Sequence, residues 1–258
     1  MNNDQTLLKV ENISKTYTGI YGSKKLILDK ISFSILSNNE RGRINSILAP
    51  FGAGKSTLLK IISGIVESSE GNIFLNQQKS NSSINKIIYI PEKPSSFPWL
   101  NVKENIEIAS EVLGQKKSGI NFESFISIVG LNRYENHHPN EKSFGFRFRI
   151  SLARALVCQP DLILIDDSFK IMDQQTKEEI YELVKKISSE FKINFLLATT
   201  NIAEAVILSE KIFLMKKDPD LVFKEIEIPF EKNTKINHQF YKSVGEEIEE
   251  SFKSENEI

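Results

Sequence analysis

The stretch APFGAGKST, residues 49–57, carries the parts that a bound polyphosphate demands, and its flanks decide the fold. Phosphate oxygens need backbone N–H groups turned inward, a helix N-terminus behind them, a lysine reaching the outer phosphates and a hydroxyl for Mg²⁺. Pro50, Phe51, Gly52, Ala53, Gly54, Lys55, Ser56 and Thr57 offer these in the required order, and Ala49 stands where the usual loop begins with glycine. The cost of that methyl group depends on the backbone: small at negative φ, roughly 1–2 kcal/mol at positive φ. Before the loop, RINSIL is a short apolar run; after it, KSTLLKIISGI repeats Leu58, Leu59, Ile62 and Ile65 at helical spacing. Strand, phosphate loop, helix is the reading.

The same alternation continues along the chain. LILID reads as a buried parallel strand, QTKEEIYELVKKISSEF as an amphipathic helix, INFLLATT as another buried strand and NIAEAVILSEKI as a further helix. Upstream, LLKVENISKTY and LILDKISFSIL predict antiparallel strands joined by a turn-rich connection over residues 18–25, a small sheet laid on the main core. Residues from about 91 to 156 are helix-rich, with Asn101 as cap for VKENIEIASEVLG and GINFESFISIVGL following. VFKEIEIPF predicts one more strand. The Glu-rich end, GEEIEESFKSENEI, reads as a solvated helix or frayed tail without chemistry.

A chain of 258 residues can enclose one large α/β core. With 33 Lys+Arg against 34 Asp+Glu the net charge is -1, so no global field draws it to nucleic acid or acidic lipid. No nucleic-acid partner is expected. The polar start MNNDQTLLKV lacks an export-signal layout, and no apolar run approaches the ~18 residues of a membrane span, so a cytoplasmic protein is expected. The single cysteine, Cys158, excludes an internal disulfide and, within RALVCQPDLILI, reads as a small buried residue. His137 and His138, beside Pro139, read as a solvated turn and not a zinc site.

In LILIDD, Asp166 ends a buried strand, where a carboxylate must sit to hold Mg²⁺ beside the phosphate loop; Asp167 follows at the place of a water-orienting base. Acids after a strand are often helix caps. Beside a phosphate loop they acquire a catalytic meaning. Through these residues the chain resembles the ATPase subunit of an ATP-binding-cassette (ABC) transporter, over residues about 7–229. Tyr17, in ISKTY, matches the family's adenine-stacking aromatic. IPEKPSSFPWLNVKENI matches the Q-loop and the start of the helical subdomain, NEKSFGFRFRISLARAL the signature segment, KIMD the D-loop and ATTNIAEAVILSEKI the switch region. PWLNVKEN and VFKEIEIPF are most similar to importer subunits for nitrate, sulfonate, taurine and related solutes.

The resemblance implies an α/β fold: a P-loop NTPase (RecA-like) core with an antiparallel β subdomain and an inserted helical subdomain. The ATPase domain would span residues 5–229, the insertion about 93–156, and an acidic tail 230–258. It implies ATP and Mg²⁺ as cofactors, with Ser56, Asp166 and Glu92 on the metal. It also implies a membrane permease as partner, a second ATPase subunit (the same chain or another), and a place on the inner face of the cell membrane. In that family Ser143 and Gly145 of one subunit close over nucleotide held at residues 49–57 of the other. The coupling contact would come from residues 96–104, with Trp99 either exposed there or filling the helical core.

Five functional positions depart from the family pattern: Ala49 for Gly, Glu92 for Gln, Lys142-Ser143-Phe144-Gly145 for Leu-Ser-Gly-Gly, Asp167 for Glu and Thr200 for His. Asp167 is one methylene, about 1.5 Å, short, and ~1 Å of misplacement can cost ~10²-fold in rate. Thr200 donates a hydrogen bond but is never cationic; loss of one such donor typically costs ~10²–10³-fold. Glu92 exchanges an amide for a charge that could hold Mg²⁺ while repelling phosphate. Phe144 puts a ring where close approach wants none, or extends the helix's apolar face together with Phe146. The expectation is a weakly hydrolysing transporter ATPase. The alternative is a nucleotide-binding regulatory subunit paired with an intact ATPase. One cassette without a long insertion between Lys55 and Asp166 disfavours the DNA-repair and translation ATPases of the same superfamily.

Overall fold

The computed structural model describes residues 5–19, 21–38, 40–79, 86–93, 95–114, 121–216, 222–228 and 238–253. The main sheet has the order β10-β9-β3-β8-β7-β6. Its strands are β3 (Ile44–Leu48), β6 (Ile87–Ile90), β7 (Leu162–Asp166), β8 (Asn194–Thr199), β9 (Lys211–Met215) and β10 (Val222–Glu227). Only the edge strand β10 runs antiparallel. Every residue of β3, β7 and β8 is buried, because both faces of a parallel sheet are covered.

Alternation along β7 shows how the faces divide. Leu162 and Leu164 meet α1 (Lys55–Ile62) and a second sheet; Ile163 and Ile165 meet the helical side. The second sheet is antiparallel, ordered β2-β1-β4-β5, with β1 (Gln5–Thr18), β2 (Lys24–Ser37), β4 (Glu70–Leu75) and β5 (Gln78–Lys79). The helical side comprises α2 (Val102–Val112), α3 (Phe122–Ile128), α4 (Phe144–Val157) and α5 (Gln174–Phe191), gathered around Phe148, Phe169 and Tyr181. Asn101 caps α2 as expected, in a reciprocal box with Glu104 at 2.8 and 2.9 Å. One turn on, buried Asn105 donates to the Phe97 and Leu100 carbonyls and accepts from the Phe97 N–H at 2.7 Å, pinning the loop before the helix.

Two expectations need correction. NIAEAVILSEKI is not one helix: α6 (Ile202–Leu208) stops where Ser209 turns extended, at φ −101°, ψ 150°, and the rest opens β9. The Glu-rich end is not simply a solvated helix or frayed tail. Its α7 (His238–Lys253) buries Val244 and Ile248 against α6 and β10, and Lys224 of β10 bonds Glu247 at 2.7 Å. Cys158 is half-buried after α4, and burial pushes its thiol up, the opposite of an activated nucleophile. Among the described residues, no helix is long and apolar enough to cross a membrane.

Strands β3, β8, β7 and β6 lie side by side and parallel, so the segments that leave their C-terminal ends begin at Ala49, Thr200, Asp167 and Pro91. Motifs far apart in sequence therefore meet along one edge, where open α/β sheets bind ligands.

Candidate nucleotide site

The phosphate loop hangs from β3 through the Ala49 N–H, which donates to the Thr199 carbonyl at 3.3 Å. Gly52 and Gly54 are left-handed, at φ 85° and 91°; at Gly54 any side chain would be strained by that φ and its Cβ would stand 2.8 Å from the tip of Leu28, which would have to shift. Ala49 is not left-handed and is 2 % exposed. Its methyl joins the core without backbone strain, which settles the question its sequence left open. Gly54 caps α1 without a side chain, so the helix N-terminus keeps its N–H groups free for an anion. The Lys55 ammonium is buried and turned back on the loop, donating to the carbonyls of Ala49 at 3.0 Å and Pro50 at 3.2 Å. Burial pulls its pKa below the ordinary lysine value, against the pull of Asp167 and Asp166.

Asp166 ends β7 and faces Ser56: the Ser56 hydroxyl donates to Oδ1 at 2.9 Å. The other oxygen, Oδ2, accepts from the Tyr89 hydroxyl at 2.7 Å. Register explains that second contact. Tyr89 pairs with Leu164, two residues before Asp166, so all three lie on the same sheet face. Two hard oxygens, Ser56 Oγ and Asp166 Oδ1, at the mouth of a loop with free N–H groups, fit Mg²⁺ and a polyphosphate. Asp167 follows in a left-handed turn, φ 49°, its N–H tied to the Ala198 carbonyl at 2.8 Å. Burial raises its carboxyl pKa; Lys55 and Lys170 oppose the shift, and Glu204 and Asp166 add to it.

The family model for ABC transporter matches residues 28–170. An aliphatic sulfonates import ATP-binding protein of Bacillus cereus is 31% identical over 246 residues, 94% of this chain and 96% of that one. The chain belongs to the ABC transporter family. A taurine import ATP-binding protein of Ruegeria pomeroyi is 30% identical over 225 residues, covering 86% of this chain and 82% of its own length. Among solved structures, a dimeric ATP-binding cassette in a post-hydrolysis state, bound to ADP and Pi, superposes with TM-score 0.73 at 27% identity, over 87% of this chain and 100% of that one.

In this ABC chain the switch position Thr200 is exposed, one residue past β8, and its neighbour Thr199 is buried. The Thr199 hydroxyl donates to Glu204 at 2.7 Å, and Lys177 bonds the same carboxylate at 3.2 Å. Sequence reading passed over Glu204, Tyr89 and Lys170, because nothing local distinguishes them. Lys170 opens the KIMD segment, its ammonium 5.6 Å from the ring centre of Phe51, which is 81 % exposed. Glu92 is exposed in the Q-loop, while both Asp166 oxygens already hold Ser56 and Tyr89. Tyr17 is 42 % exposed near the end of β1, with the Lys15 ammonium 5.0 Å from its ring centre.

Ser143 and Gly145, expected from the resemblance to act as signature residues, sit at the start of α4. Ser143 is its N-cap, accepting from the Phe146 N–H at 3.3 Å. Gly145 packs so closely that a Cβ would lie 2.4 Å from the Thr176 methyl of α5. Phe144 and Phe146 both pack on the helical core, and Phe144 stacks 4.3 Å from the Arg147 guanidinium. The apolar-face alternative for these two rings thus has direct support.

Proposed function

We propose that this ABC chain is the ATPase subunit of a transporter, taking up MgATP at residues 49–57, hydrolysing it slowly and driving a separate membrane permease. The observation that carries the reading is the 2.9 Å pair Ser56 Oγ–Asp166 Oδ1 beside a buried Lys55 ammonium at an open helix N-terminus. Lys55 would leave the loop carbonyls for the outer phosphates, Tyr17 would offer its ring to adenine, and Ser56 with Asp166 would hold Mg²⁺. Bound Mg²⁺ supplies neutralisation of charge on the transferring phosphoryl group. Asp167 would orient the attacking water and Thr200 would donate to the γ-phosphate. The protein would work as a cytoplasmic, membrane-peripheral dimer, Ser143 and Gly145 facing the nucleotide of the second subunit. Calorimetry should register uptake of MgATP, and turnover should lie below the ~1–10³ s⁻¹ of ordinary enzymes. No uptake would remove the reading.

Asp167 and Thr200 favour a second reading, a nucleotide-binding regulatory subunit that leaves each composite site damaged on one side only when paired with an intact ATPase. Turnover below ~10⁻³ s⁻¹ even beside that partner would select it.

For the permease, the surface before α2 has the right character. Trp99 is 69 % exposed and packs on Phe97 at 5.5 Å, so it does not fill the helical core. Arg154 bonds the Ser95 carbonyl at 2.7 Å and lies over the Phe97 ring, beside a cavity of about 270 Å³. Exposed aromatics on a pinned loop make interface anchors. Trp99→Ala should weaken the complex with the permease at least ~10-fold in a pull-down titration, with unfolding of the isolated subunit unchanged. Undiminished association would move the contact elsewhere.

A further inference from the structure

We propose that Tyr89 is a positioning residue for the metal carboxylate: its phenol holds Oδ2 of Asp166 so that Oδ1 is presented to Ser56 and to the Mg²⁺ of bound nucleotide. The inference rests on the MgATP reading above and adds a residue to it.

A carboxylate at a strand end can rotate about its terminal bond, and each orientation offers a metal different lone pairs. Here the two oxygens have different donors: Ser56 on Oδ1 at 2.9 Å, Tyr89 on Oδ2 at 2.7 Å. A metal taken up at Oδ1 would replace the proton that the Ser56 hydroxyl offers there. The Tyr89 bond, on the far oxygen, can persist through loading and unloading, which makes it a fixed support of the kind that orients metal ligands.

The register of β6 on β7 fixes the phenol's approach, because Tyr89 sits opposite Leu164 on the face that Asp166 shares. A phenol, with an ordinary pKa near 10, carries its proton at neutral pH and so can donate to the carboxylate. The ring itself packs against the core between the two sheets. Phenylalanine would keep that packing, so what the tyrosine adds among the described residues is the bond of its hydroxyl to Asp166.

The test is Tyr89→Phe, with Mn²⁺ as the probe. Binding of Mn²⁺ to ATP-loaded protein, followed by electron paramagnetic resonance, should weaken ~10–100-fold, the usual effect of removing a partner that orients a metal ligand. ATP affinity in excess EDTA should match wild type, and the thermal midpoint of free protein should fall only modestly, for the one donor lost from a buried carboxylate. Tyr89→Leu should show the same metal defect together with a lower midpoint. Unchanged Mn²⁺ affinity in Tyr89→Phe overturns the proposal while leaving the MgATP reading intact. An equal loss of metal-free ATP affinity also overturns it, since the residue then supports the whole site. Wild-type protein that takes up no ATP overturns both.

Discussion

Lys55→Met is expected to lower ATP affinity by at least ~10²-fold and to abolish turnover, while the nucleotide-free protein keeps or gains stability. The two signs come from one piece of geometry. In the free protein the ammonium is buried and donates to the carbonyls of Ala49 and Pro50, and burial works against its charge more strongly than Asp167 and Asp166 favour it. A buried cation satisfied by neutral acceptors is a poor use of charge in the folded state. With a polyphosphate present the same group makes charge-assisted hydrogen bonds, worth about 1.5–3 kcal/mol each, and two of them correspond to ~10²-fold or more. Methionine keeps the unbranched apolar stem and removes the charge together with its hydrogen bonds to the two carbonyls. Calorimetric titration with ATP and chemical denaturation of free protein check the two halves together. A variant that lost stability and affinity in parallel would mark Lys55 as a packing residue, and the phosphate-loop reading would lose its main support.

The parts of this site that were legible in sequence are those that local chain order dictates. Lys55, Ser56 and Gly54 follow a strand and open a helix, and their roles depend on adjacency alone. Asp166 was legible because a carboxylate ending a buried strand, often only a helix cap, gains a metal-binding meaning once a phosphate loop is present in the same chain. Tyr89 was not. Its distance of 77 residues from Asp166 is bridged by the parallel pairing of β6 and β7, and strand pairing leaves no trace in a single sequence. Glu204 was hidden for the same reason: it reads as an ordinary early-helix acid until Lys177 and Thr199 are folded onto it. Among the elements, the helix-to-strand change at Ser209 was missed because α6 and β9 are both short, largely buried and apolar, and periodicity cannot separate such segments. Strand β4 depends on Gly71, φ 89°, where a Cβ would strike the Glu11 carbonyl oxygen at 2.4 Å. That close approach belongs to the sheet, and its sequence, EGNIFL, gives no comparable signal. Ala49 shows the converse case, a substitution that sequence made ambiguous and backbone geometry made harmless.

Asp167→Glu should raise turnover by ~10-fold to ~10²-fold while lowering stability by about 1 kcal/mol. The gain follows from reach: the added methylene advances the carboxylate by about 1.5 Å, and displacements of that size are worth ~10²-fold in positioning. The backbone does not make up the difference by moving, because the Asp167 N–H is fixed to the Ala198 carbonyl at 2.8 Å on the neighbouring strand. The loss follows from φ 49° at this residue. Aspartate visits the left-handed region more readily than longer L-residues, for which it costs roughly 1–2 kcal/mol. On this reading the native residue would favour the folded turn at the expense of the reaction, a trade that functional sites often show. Adding Thr200→His should raise the rate again by supplying a group that can carry charge near the γ-phosphate, worth up to ~10²–10³-fold. The combined gain should fall short of the product of the two, since residues acting on one transition state are not additive. Single-turnover hydrolysis with saturating MgATP, measured for both single variants and the double, separates the steps from dimer assembly. If the double variant hydrolyses no faster than wild type, turnover is limited by the half of the site at Phe144 and the closely packed Gly145, and closure of the dimer, not water activation, sets the rate.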